Sequence, residues 1–291
     1  MRIAVTGGSG RIGHAVVELA LAQGHSVVSI DRTLPAEGAA RAEVTFVQAN
    51  MTQYDDVEQA LRGCDALVHM AAIPSPWGQL DHVVHNNNVV GSYNALSAAA
   101  QLGIERVCQA SSVNATGAAY SRWPRYDYFP LDEAHPTYNE DAYSLSKWIC
   151  EQQGDSFARR YETMTIASLR FHWVVPDRAT VVEYSTRVGD VAAKHLWGYT
   201  RLDAAARACL QALTPKFEGH EAFYIVAPDT MLETPSLDLA RNTFPMCLYA
   251  AISAAIRPSS IARKPCDCSD GIMMERSQEP GVRRSDLTPD S

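Results

Sequence analysis

The chain opens with Met1-Arg-Ile-Ala-Val-Thr-Gly-Gly-Ser-Gly-Arg-Ile-Gly13, which joins a short apolar run to three glycines spaced three apart. Residues 3–5 are predicted to form a buried strand, and Gly7 to permit the tight turn after it. Gly10 would let a pyrophosphate approach the backbone, and Gly13 would let the next helix pack closely on the sheet. The stretch predicts a dinucleotide-binding turn. A purely structural glycine turn is the alternative.

The sequence that follows supports this prediction. A helix over residues 14–23 would direct its N-terminal N–H groups and the positive end of its dipole at phosphates. Residues 26–30 are predicted to form a second strand that ends in Asp31, whose carboxylate can accept hydrogen bonds from a ribose 2′-hydroxyl and would repel a 2′-phosphate. NAD is therefore the favoured cofactor, although Arg11 and Arg32 keep NADP possible.

Composition limits the class of protein. The chain has 291 residues, 46% of them hydrophobic and 20% charged, enough for one large α/β domain and a smaller lobe. A formal net charge of −8 argues against affinity for nucleic acid or for an anionic membrane surface. No apolar run approaches the roughly 20 residues that span a bilayer, so no membrane association is expected.

Cysteine usage predicts a cellular compartment. The seven cysteines are scattered, which is typical of reduced thiols in a cytoplasmic protein rather than of a disulfide framework. The first predicted strand starts at residue 2, which leaves no room for a targeting peptide. Cys266 and Cys268 lack a second pair of ligands, so no metal site is predicted.

Strands and helices alternate further along the chain. Strands are predicted over residues 44–47, 65–70 and 106–110, and helices over residues 55–62 and from residue 88 onward. This alternation predicts an α/β fold with a doubly wound parallel sheet, in which ligands lie beyond the carboxyl ends of the strands.

Small and polar residues follow these predicted strand ends. Asn50-Met51 can face an adenine ring. Ala71-Ala72 would let a cofactor lie close to the backbone, although the pair also suits a tight strand-to-loop turn. The sheet would bring them into one crevice with Ser111-Ser112 and the glycine turn.

Three residues carry the predicted chemistry. Tyr143 and Lys147 are four apart in a predicted helix, so they share one face. A phenol titrates near pH 10, and a neighbouring ammonium, or the positive ring of an oxidised nicotinamide, favours phenolate. Tyr143 could then exchange a proton with a substrate hydroxyl while Ser112 holds the same oxygen. A Tyr-x-x-x-Lys pair alone is more often a surface pair, so the prediction depends on the combination with the glycine turn.

In order and spacing, these motifs resemble the extended short-chain dehydrogenases of the NAD-dependent epimerase/dehydratase family over residues 1–244. The motifs are Thr6-Gly-Gly-Ser-Gly-Arg-Ile-Gly13, Asp31, Ala71-Ala72, Asn88-Val-x-Gly91, Ser111-Ser112, Tyr143-x-x-x-Lys147 and Leu169-Arg-Phe-His172. The resemblance implies a Rossmann core, an NAD(P) cofactor and an enzyme of the dehydrogenase or epimerase type. It implies Ser112, Tyr143 and Lys147 as catalytic residues, with Lys147 also holding the nicotinamide ribose.

The resemblance also implies a wider set of contacts. The cofactor-binding residues would be Gly7, Gly10, Arg11, Ile12, Gly13, Asp31, Arg32, Asn50, Met51, Ala71, Ala72, Asn88, Ser111, Tyr143, Lys147, Phe171 and Val174. The substrate-binding residues would be Ser75, Ser112, Asn114, Tyr143 and His172, the last standing where many relatives carry Asn. Residues 174–176 would border the nicotinamide, or form a sixth buried strand ended by Pro176, or both.

Two departures from the family narrow the predicted function. The sugar-nucleotide dehydratases typically carry an Asp-Glu pair after the active-site hydroxyl residue, where this chain has Ser112-Val113-Asn114, which argues against dehydration. The second departure is a short C-terminal lobe, which suits a small substrate and resembles the compact layout of uronate dehydrogenases. In this lobe, Asp203 is predicted to cap a helix over residues 204–213, followed by a strand over 222–226.

The chain is therefore predicted to have three parts. Residues 1–176 form the NAD(P)-binding core with the catalytic helix, residues 177–245 a small substrate lobe interleaved with it, and residues 246–291 an atypical tail, disordered from residue 257. The predicted function is hydride transfer between nicotinamide and a small polar substrate, possibly a sugar or sugar acid. The alternatives are a sugar or nucleotide-sugar epimerase with the same triad, and a catalytically poor NAD-binding regulator.

A homodimer is the predicted assembly. The predicted helix over residues 88–101 carries an alanine face (Ala95, Ala98 and Ala99), and the Tyr143 helix continues through Trp148, Ile149 and Phe157. In related enzymes these two helices pair with their copies across a two-fold axis. The alternative is that both faces pack on the sheet of their own protomer.

Overall fold

The computed structural model describes residues 1–34, 43–188 and 190–249. The tail beyond residue 249, with the predicted disorder and Cys266 and Cys268, lies outside the described residues. The strands are Arg2–Thr6 (β1), Ser26–Asp31 (β2), Val44–Gln48 (β3), Ala66–His69 (β4), Arg106–Ser112 (β5), Tyr128–Phe129 (β6), Thr165–Phe171 (β7), Val174–Val175 (β8), Thr200–Arg201 (β9), His220–Ile225 (β10) and Leu248–Tyr249 (β11).

Helices connect most of these strands. They are Arg11–Ala22 (α1), Tyr54–Leu61 (α2), Asp81–Gln101 (α3), Ala142–Arg160 (α4), Arg178–Val188 (α5), Asp190–Lys194 (α6), Leu202–Gln211 (α7) and Ser236–Thr243 (α8), with a 3₁₀ turn at Val113–Thr116. Within the part of the chain described here, none of these helices combines the length and apolar character needed to cross a membrane.

A seven-stranded parallel sheet is the centre of the molecule. Its strand order is β10-β7-β5-β4-β1-β2-β3. Helices α1 and α7 pack together on one face, and α2, α3 and α4 cover the other, so each face has its own apolar core. Strands buried on both faces must be apolar along most of their length, as β1 and β4 are. The predicted doubly wound Rossmann-type fold is confirmed.

The glycine turn has the geometry that the sequence predicts. Gly7 has a φ of +66°, which a side chain would strain. A Cβ atom on Gly13 would lie 2.1 Å from the Gly7 carbonyl oxygen, so only glycine lets α1 start so close to the turn. Helix α1 begins at Arg11, three residues earlier than predicted, because the turn leads directly into it and the Gly10 carbonyl accepts from the His14 N–H at 2.8 Å.

Three further predictions about secondary structure are wrong. Helix α3 begins at Asp81 rather than at residue 88, because its polar first turns hide the helical period. In chain order, the sixth strand of the central sheet is β7. Val174–Val175 (β8) lies outside that sheet and pairs with Thr200–Arg201 (β9). Helix α7 begins at Leu202, so Asp203 lies in its first turn and bonds Arg201 and Arg207 instead of acting as the cap.

A third core lies beyond the carboxyl end of the sheet. Its buried side chains include Tyr126 and Phe129 from before α4 and Trp197, Met231 and Phe244 from after β7. This lobe thus draws on both sides of residue 176, in keeping with the predicted interleaving. The division of the chain at residues 176 and 245 stays a prediction.

The alanine face that was predicted to form the dimer interface packs on the sheet of its own protomer. Ala95, Ala98 and Ala99 are fully buried against the sheet, so the alternative interpretation holds for them. The outer face of α3 instead exposes Val90 and Tyr93. The homodimer itself stays a prediction.

Candidate active site

One cavity of about 1120 Å³ runs along the carboxyl ends of the sheet strands. It exceeds the roughly 300–1,000 Å³ usual for a site that holds one small ligand. One end lies over the glycine turn and β2, and the other is roofed by the loops after β5 and β7. We call these the cofactor half and the substrate half.

The cofactor half fits a dinucleotide. A Cβ atom on Gly7 would collide with the Ala71 backbone at 2.8 Å, so the turn lies directly on the end of β4. On Gly10 a Cβ would meet only the Gly7 oxygen, at 3.1 Å, so Gly10 leaves a cradle open toward the cavity. The first residues of α1, residues 11–13, line this space, and the N-terminus of a helix stabilises a pyrophosphate.

The carboxylate of Asp31 lines the cavity at the end of β2. Its Oδ2 accepts from the Ser9 N–H at 3.0 Å and its Oδ1 from the Arg32 N–H at 2.7 Å. These bonds fix the orientation of the carboxylate at the end of β2. Arg32 also lines the cavity, and the Arg11 guanidinium donates to the Val174 carbonyl at 3.0 Å, tying the glycine turn to β8.

Most of the predicted cofactor residues line this cavity. They are Gly7, Gly10, Arg11, Ile12, Gly13, Asp31, Arg32, Asn50, Met51, Ala71, Ala72, Ser111, Tyr143, Lys147, Phe171 and Val174. Asn88 lies behind the wall instead: its Oδ1 accepts from the Ile73 N–H at 2.8 Å, and its Nδ2 donates to Ser146 Oγ at 3.1 Å. It ties the loop after β4 to α4, while Asn87 faces the cavity.

Ser112, Tyr143 and Lys147 lie together in the lining of the cavity, and all three are almost fully buried. Asp141 caps α4 by accepting from the Ser144 N–H at 2.9 Å, which fixes the start of the helix that carries Tyr143 and Lys147. The Lys147 ammonium donates to the Ala110 carbonyl at 2.7 Å and lies 5.9 Å from the centre of the Tyr143 ring. Their catalytic roles stay a prediction.

Burial dominates the electrostatics of this group. It raises the pKa of the Tyr143 phenol well above its ordinary value, while a hydrogen bond with Ser112 acts in the opposite direction. It also lowers the pKa of Lys147, and Cys150 and Glu151 partly offset that effect. The expectation that the ammonium alone would favour phenolate is therefore too simple, because in the free protein Tyr143 keeps its proton.

Ser112 and Asn114 form a small hydrogen-bonded unit. Ser112 Oγ accepts from the N–H and from the Nδ2 of Asn114, both at 3.2 Å. Asn114 Oδ1 accepts from the Ala119 N–H at 2.8 Å. Two accepted bonds leave the Ser112 proton available to Tyr143 or to a substrate oxygen.

Two imidazoles line the substrate half. Burial lowers the pKa of His172 to about 3, with the neighbouring His195 adding to that effect, and lowers the pKa of His195 to about 4. Both rings are therefore neutral at pH 7. His172 was predicted; His195 was not, because it lies in a segment without a motif. Predicted Ser75 does not line the cavity, although Pro74 and Trp77 on the same loop do.

Aromatic rings missed by the sequence analysis form the walls of the substrate half. Tyr120 stands edge-on between Trp77, at 6.1 Å, and Tyr143, at 5.6 Å between ring centres. Trp173 and Tyr184 make a second edge-on pair at 4.6 Å. The rings that the sequence analysis missed lie on loops or on α5, where no periodic sequence pattern predicts them: Trp77, Tyr120, Trp173 and Tyr184.

Lys194, at the end of α6, ties that helix to the loop after β5 over the substrate half. Its ammonium donates to the Ser121 and Arg122 carbonyls at 2.8 and 2.7 Å. Among the described residues that line the cavity, Asp31 is the only carboxylate, and it lies in the cofactor half. The substrate half therefore presents neutral imidazoles, hydroxyls, aromatic faces and cations.

A serine, a histidine and an aspartate also form a hydrogen-bonded chain away from the cavity. Ser168 Oγ lies 2.7 Å from His220 Nε2, and His220 Nδ1 lies 2.8 Å from Asp155 Oδ1. Ser168 is completely buried and also accepts from Gln109 at 2.7 Å. A substrate cannot reach Ser168, so this hydrogen-bonded network is a structural link between α4, β7 and β10.

Comparisons with known proteins agree with this geometry. A family model described as "NAD dependent epimerase/dehydratase family" matches residues 3–195. A Synechocystis protein provisionally named dihydroflavonol 4-reductase is 26% identical over 94% of this chain and 84% of its own length. The L-arabinose 1-dehydrogenase (NAD(P)(+)) of Haloferax volcanii is 30% identical over 60% of this chain and 67% of its own.

Two solved structures share the fold. A short-chain dehydrogenase/reductase superfamily protein from Agrobacterium tumefaciens with bound NAD has a TM-score of 0.64 and 22% identity, over 86% of this chain and 85% of that one. A mutated uronate dehydrogenase has a TM-score of 0.59 and 20% identity, over 85% and 86%. At these identities the likeness concerns the fold alone.

Proposed function

Because this chain belongs to the NAD-dependent epimerase/dehydratase family, we propose that it is an NAD-dependent oxidoreductase acting on a hydroxyl or carbonyl of a small polar molecule. One observation carries the proposal: Ser112, Tyr143 and Lys147 meet on one wall of a cavity whose other end is the glycine turn. A structural helix pair would not need to bury an ammonium and a phenol beside the same opening.

Each residue has a role that its surroundings support. Tyr143 takes the proton of the substrate hydroxyl, or returns it in the reverse direction. Ser112 donates its hydrogen bond to the same oxygen, since Asn114 occupies its acceptor positions. Lys147 is anchored on the Ala110 carbonyl and supplies positive charge near the Tyr143 ring. It would also hold the nicotinamide ribose.

The buried phenol sets the conditions for this proton transfer. Because burial raises the pKa of Tyr143, the phenolate forms only when further positive charge reaches the site. When bound, an oxidised nicotinamide supplies both the hydride acceptor and such a charge. We therefore expect Tyr143 to stay protonated in the free protein.

NAD is the proposed cofactor. The Asp31 carboxylate is held by two backbone N–H groups at the end of β2, which suits a ribose diol and disfavours a 2′-phosphate. Arg32, directly beside it, is the feature that would allow NADP.

A sugar or sugar acid is the proposed substrate class. Neutral imidazoles such as His172 and His195 can exchange hydrogen bonds with hydroxyl groups, and the aromatic edges near Tyr120 suit the C–H face of a sugar ring. The relative named for L-arabinose oxidation supports the same class.

An epimerase is the second candidate. The large volume of the cavity supports it, because an epimerase must let its oxidised intermediate turn before the hydride returns. The two candidates differ in one observable, since only a dehydrogenase accumulates NADH.

The test is a panel of sugars and sugar acids with NAD, followed at the NADH absorbance band, with Tyr143→Phe as the paired variant. We expect NADH to accumulate and the variant to keep its NAD affinity but lose about 100- to 10,000-fold in kcat. Turnover without net NADH would indicate the epimerase. NAD binding without any turnover would indicate a regulator, and an active Tyr143→Phe variant would overturn the mechanism.

We also propose a cytoplasmic homodimer that uses the outer faces of α3 and α4. Exposed Val90 and Tyr93 on α3 support this surface, Tyr93 standing edge-on to Phe157 of α4 at 5.3 Å. Sedimentation of wild type and Tyr93→Glu would test the assembly. A monomer in the wild type would exclude it.

A further inference from the structure

Glu151 lies one helical turn after Lys147 on α4 and has three hydrogen bonds to neighbouring strands. Its carboxylate accepts from Arg170 Nε at 2.9 Å and from Arg170 Nη2 at 2.8 Å, and also from the Ser111 hydroxyl. The side chains of Glu151 and Arg170 are only 4% and 8% exposed. A guanidinium that meets a carboxylate through two N–H groups has a fixed relative orientation.

These partners adjoin the proposed catalytic residues directly. Ser111 precedes Ser112 on β5 and lies opposite Arg170 of β7 in the sheet register. On the other side of Ser111, the Ala110 carbonyl accepts from Lys147. The end of β5 is therefore tied to α4 at two points one turn apart, through Lys147 and through Glu151.

Stability alone does not account for this ion pair. Removing two charges from water costs about as much as their attraction returns, and apolar residues of similar volume often serve as well. Arg170 is fixed further, because Nη1 donates to the Glu133 carbonyl at 3.2 Å and the guanidinium lies 5.2 Å from the centre of the Tyr224 ring. What the arrangement provides is a rigid relation between α4, β5 and β7.

We propose that Glu151 and Arg170 are positioning residues that set the distance between the hydroxyls of Ser112 and Tyr143. The inference rests on the proposed function, in which these two hydroxyls share one substrate oxygen. Ser112 is carried by β5 and Tyr143 by α4, so a slide of the helix along the sheet would separate them. Glu151 blocks that slide.

The chain contains a matched control. One turn further along α4, Asp155 bonds His220 of β10, which in turn bonds Ser168 of β7. This link also ties the helix to the sheet, but none of its three residues lines the cavity. Both links begin at a carboxylate of α4. Glu151 reaches β7 directly through Arg170, whereas Asp155 reaches it through His220 of β10. Only the Glu151 link includes the strand end that carries Ser112.

The experiment compares Glu151→Gln with Asp155→Asn. Glutamine keeps the size of the side chain but removes the charge that orients Arg170. We expect Glu151→Gln to lower kcat by about 10- to 100-fold, since a misplacement of about 1 Å can cost about 100-fold. KM and NAD affinity, measured by calorimetry, should change less than about twofold. Asp155→Asn should lower the melting temperature and leave kcat within about twofold.

Two further variants keep the test decisive if Glu151→Gln fails to fold. Ser111→Ala removes only the hydroxyl between Glu151 and β5 and should give a smaller loss of kcat, whereas Glu151→Asp, which keeps the charge, should recover part of the activity. Equal kcat losses in Glu151→Gln and Asp155→Asn would overturn the inference. So would a Glu151→Gln protein that is less stable but fully active.

A structural readout separates this inference from the proposed function. Crystal structures of wild type and Glu151→Gln should show the Ser112 and Tyr143 hydroxyls moved apart by about 0.5 Å or more, the tolerance that catalytic groups require. This measurement needs no substrate, so it stands even if the substrate panel shows no turnover. Unmoved hydroxyls would overturn the inference while leaving the oxidoreductase proposal intact.

Discussion

The two halves of the cavity are built in different ways. The cofactor half consists of short turns that directly follow β1, β2, β3 and β4, and its residues lie next to the strands that position them. The substrate half is assembled from loops after β5 and β7 and from α5 and α6, segments far apart in the chain. Residues in the first half can be recognised locally, whereas those in the second depend on which loops meet.

The largest effect is expected in the cofactor half. Gly13→Ala would place a Cβ 2.1 Å from the Gly7 oxygen, so the turn must move and the cradle for the pyrophosphate must change. We expect NAD affinity to fall by at least about 100-fold, the scale of one or two displaced charge-assisted hydrogen bonds. Calorimetric titration with NAD measures it.

Gly24→Ala at the far end of α1 is the matched control. Gly24 follows the last turn of α1 and has a φ of +78°, and a Cβ there meets no atom within 4 Å. Its substitution should cost about 1 kcal/mol of stability and leave NAD affinity unchanged. If both variants bound NAD equally well, the turn would not be the cofactor cradle.

A smaller effect is expected in the substrate half. Tyr120→Leu removes the ring that stands between Trp77 and Tyr143, whereas Tyr120→Phe keeps it. We expect the leucine variant to raise the KM for the substrate about tenfold, the scale of one aromatic contact, with NAD affinity unchanged. Steady-state kinetics on both variants test this. A change in NAD affinity instead would show that the two halves are not separate.

An effect that is absent at pH 7 and confined to acid is expected from His172. Burial keeps His172 neutral, with a pKa of about 3 in the fold against about 6.5 unfolded. A lowered folded pKa contributes stability that is present above about pH 6.5 and is lost as the pH falls toward 3. His172→Asn should therefore lose less stability in that window, by up to about 1.4 kcal/mol per pH unit.

Urea unfolding at several pH values measures this difference. Above pH 7 the two proteins should show parallel pH dependence, because the histidine is neutral in both folded and unfolded chains. Parallel curves between pH 6 and pH 4 as well would mean that His172 is not held neutral by burial.

Nearly all the residues that the sequence predicted to bind the cofactor line the cavity. Gly7, Gly10 and Gly13 have the spacing that a tight strand-to-helix turn requires, and Asp31 ends a strand. The Tyr143 and Lys147 pair was predicted for the same reason, since four residues along a helix bring two side chains together. Asn88 shows the limit: its local motif was found, but the fold places it behind the wall rather than in it.

The substrate half and the positioning network were not predictable in this way. His195, Tyr120 and Trp173 stand in segments without periodicity, and nothing beside them in the chain indicates that they share a cavity. Glu151 and Arg170 are nineteen residues apart on different elements, joined at 2.8 Å only once α4 lies on the sheet. Ala98 was noticed in the sequence but placed wrongly, because an alanine in a helix suits either an interface or a core.

The difference has a physical cause. Short-range sterics and helix or strand periodicity depend on neighbours within a few residues, so the glycine turn, the parallel sheet and the spacing of the proposed catalytic pair could be read from the chain alone. Contacts between distant loops depend on how the whole domain packs, and not on the sequence next to each loop. The folded molecule therefore determined the shape of the substrate half, the burial that keeps Tyr143 protonated, and the Glu151–Arg170 pair beneath it.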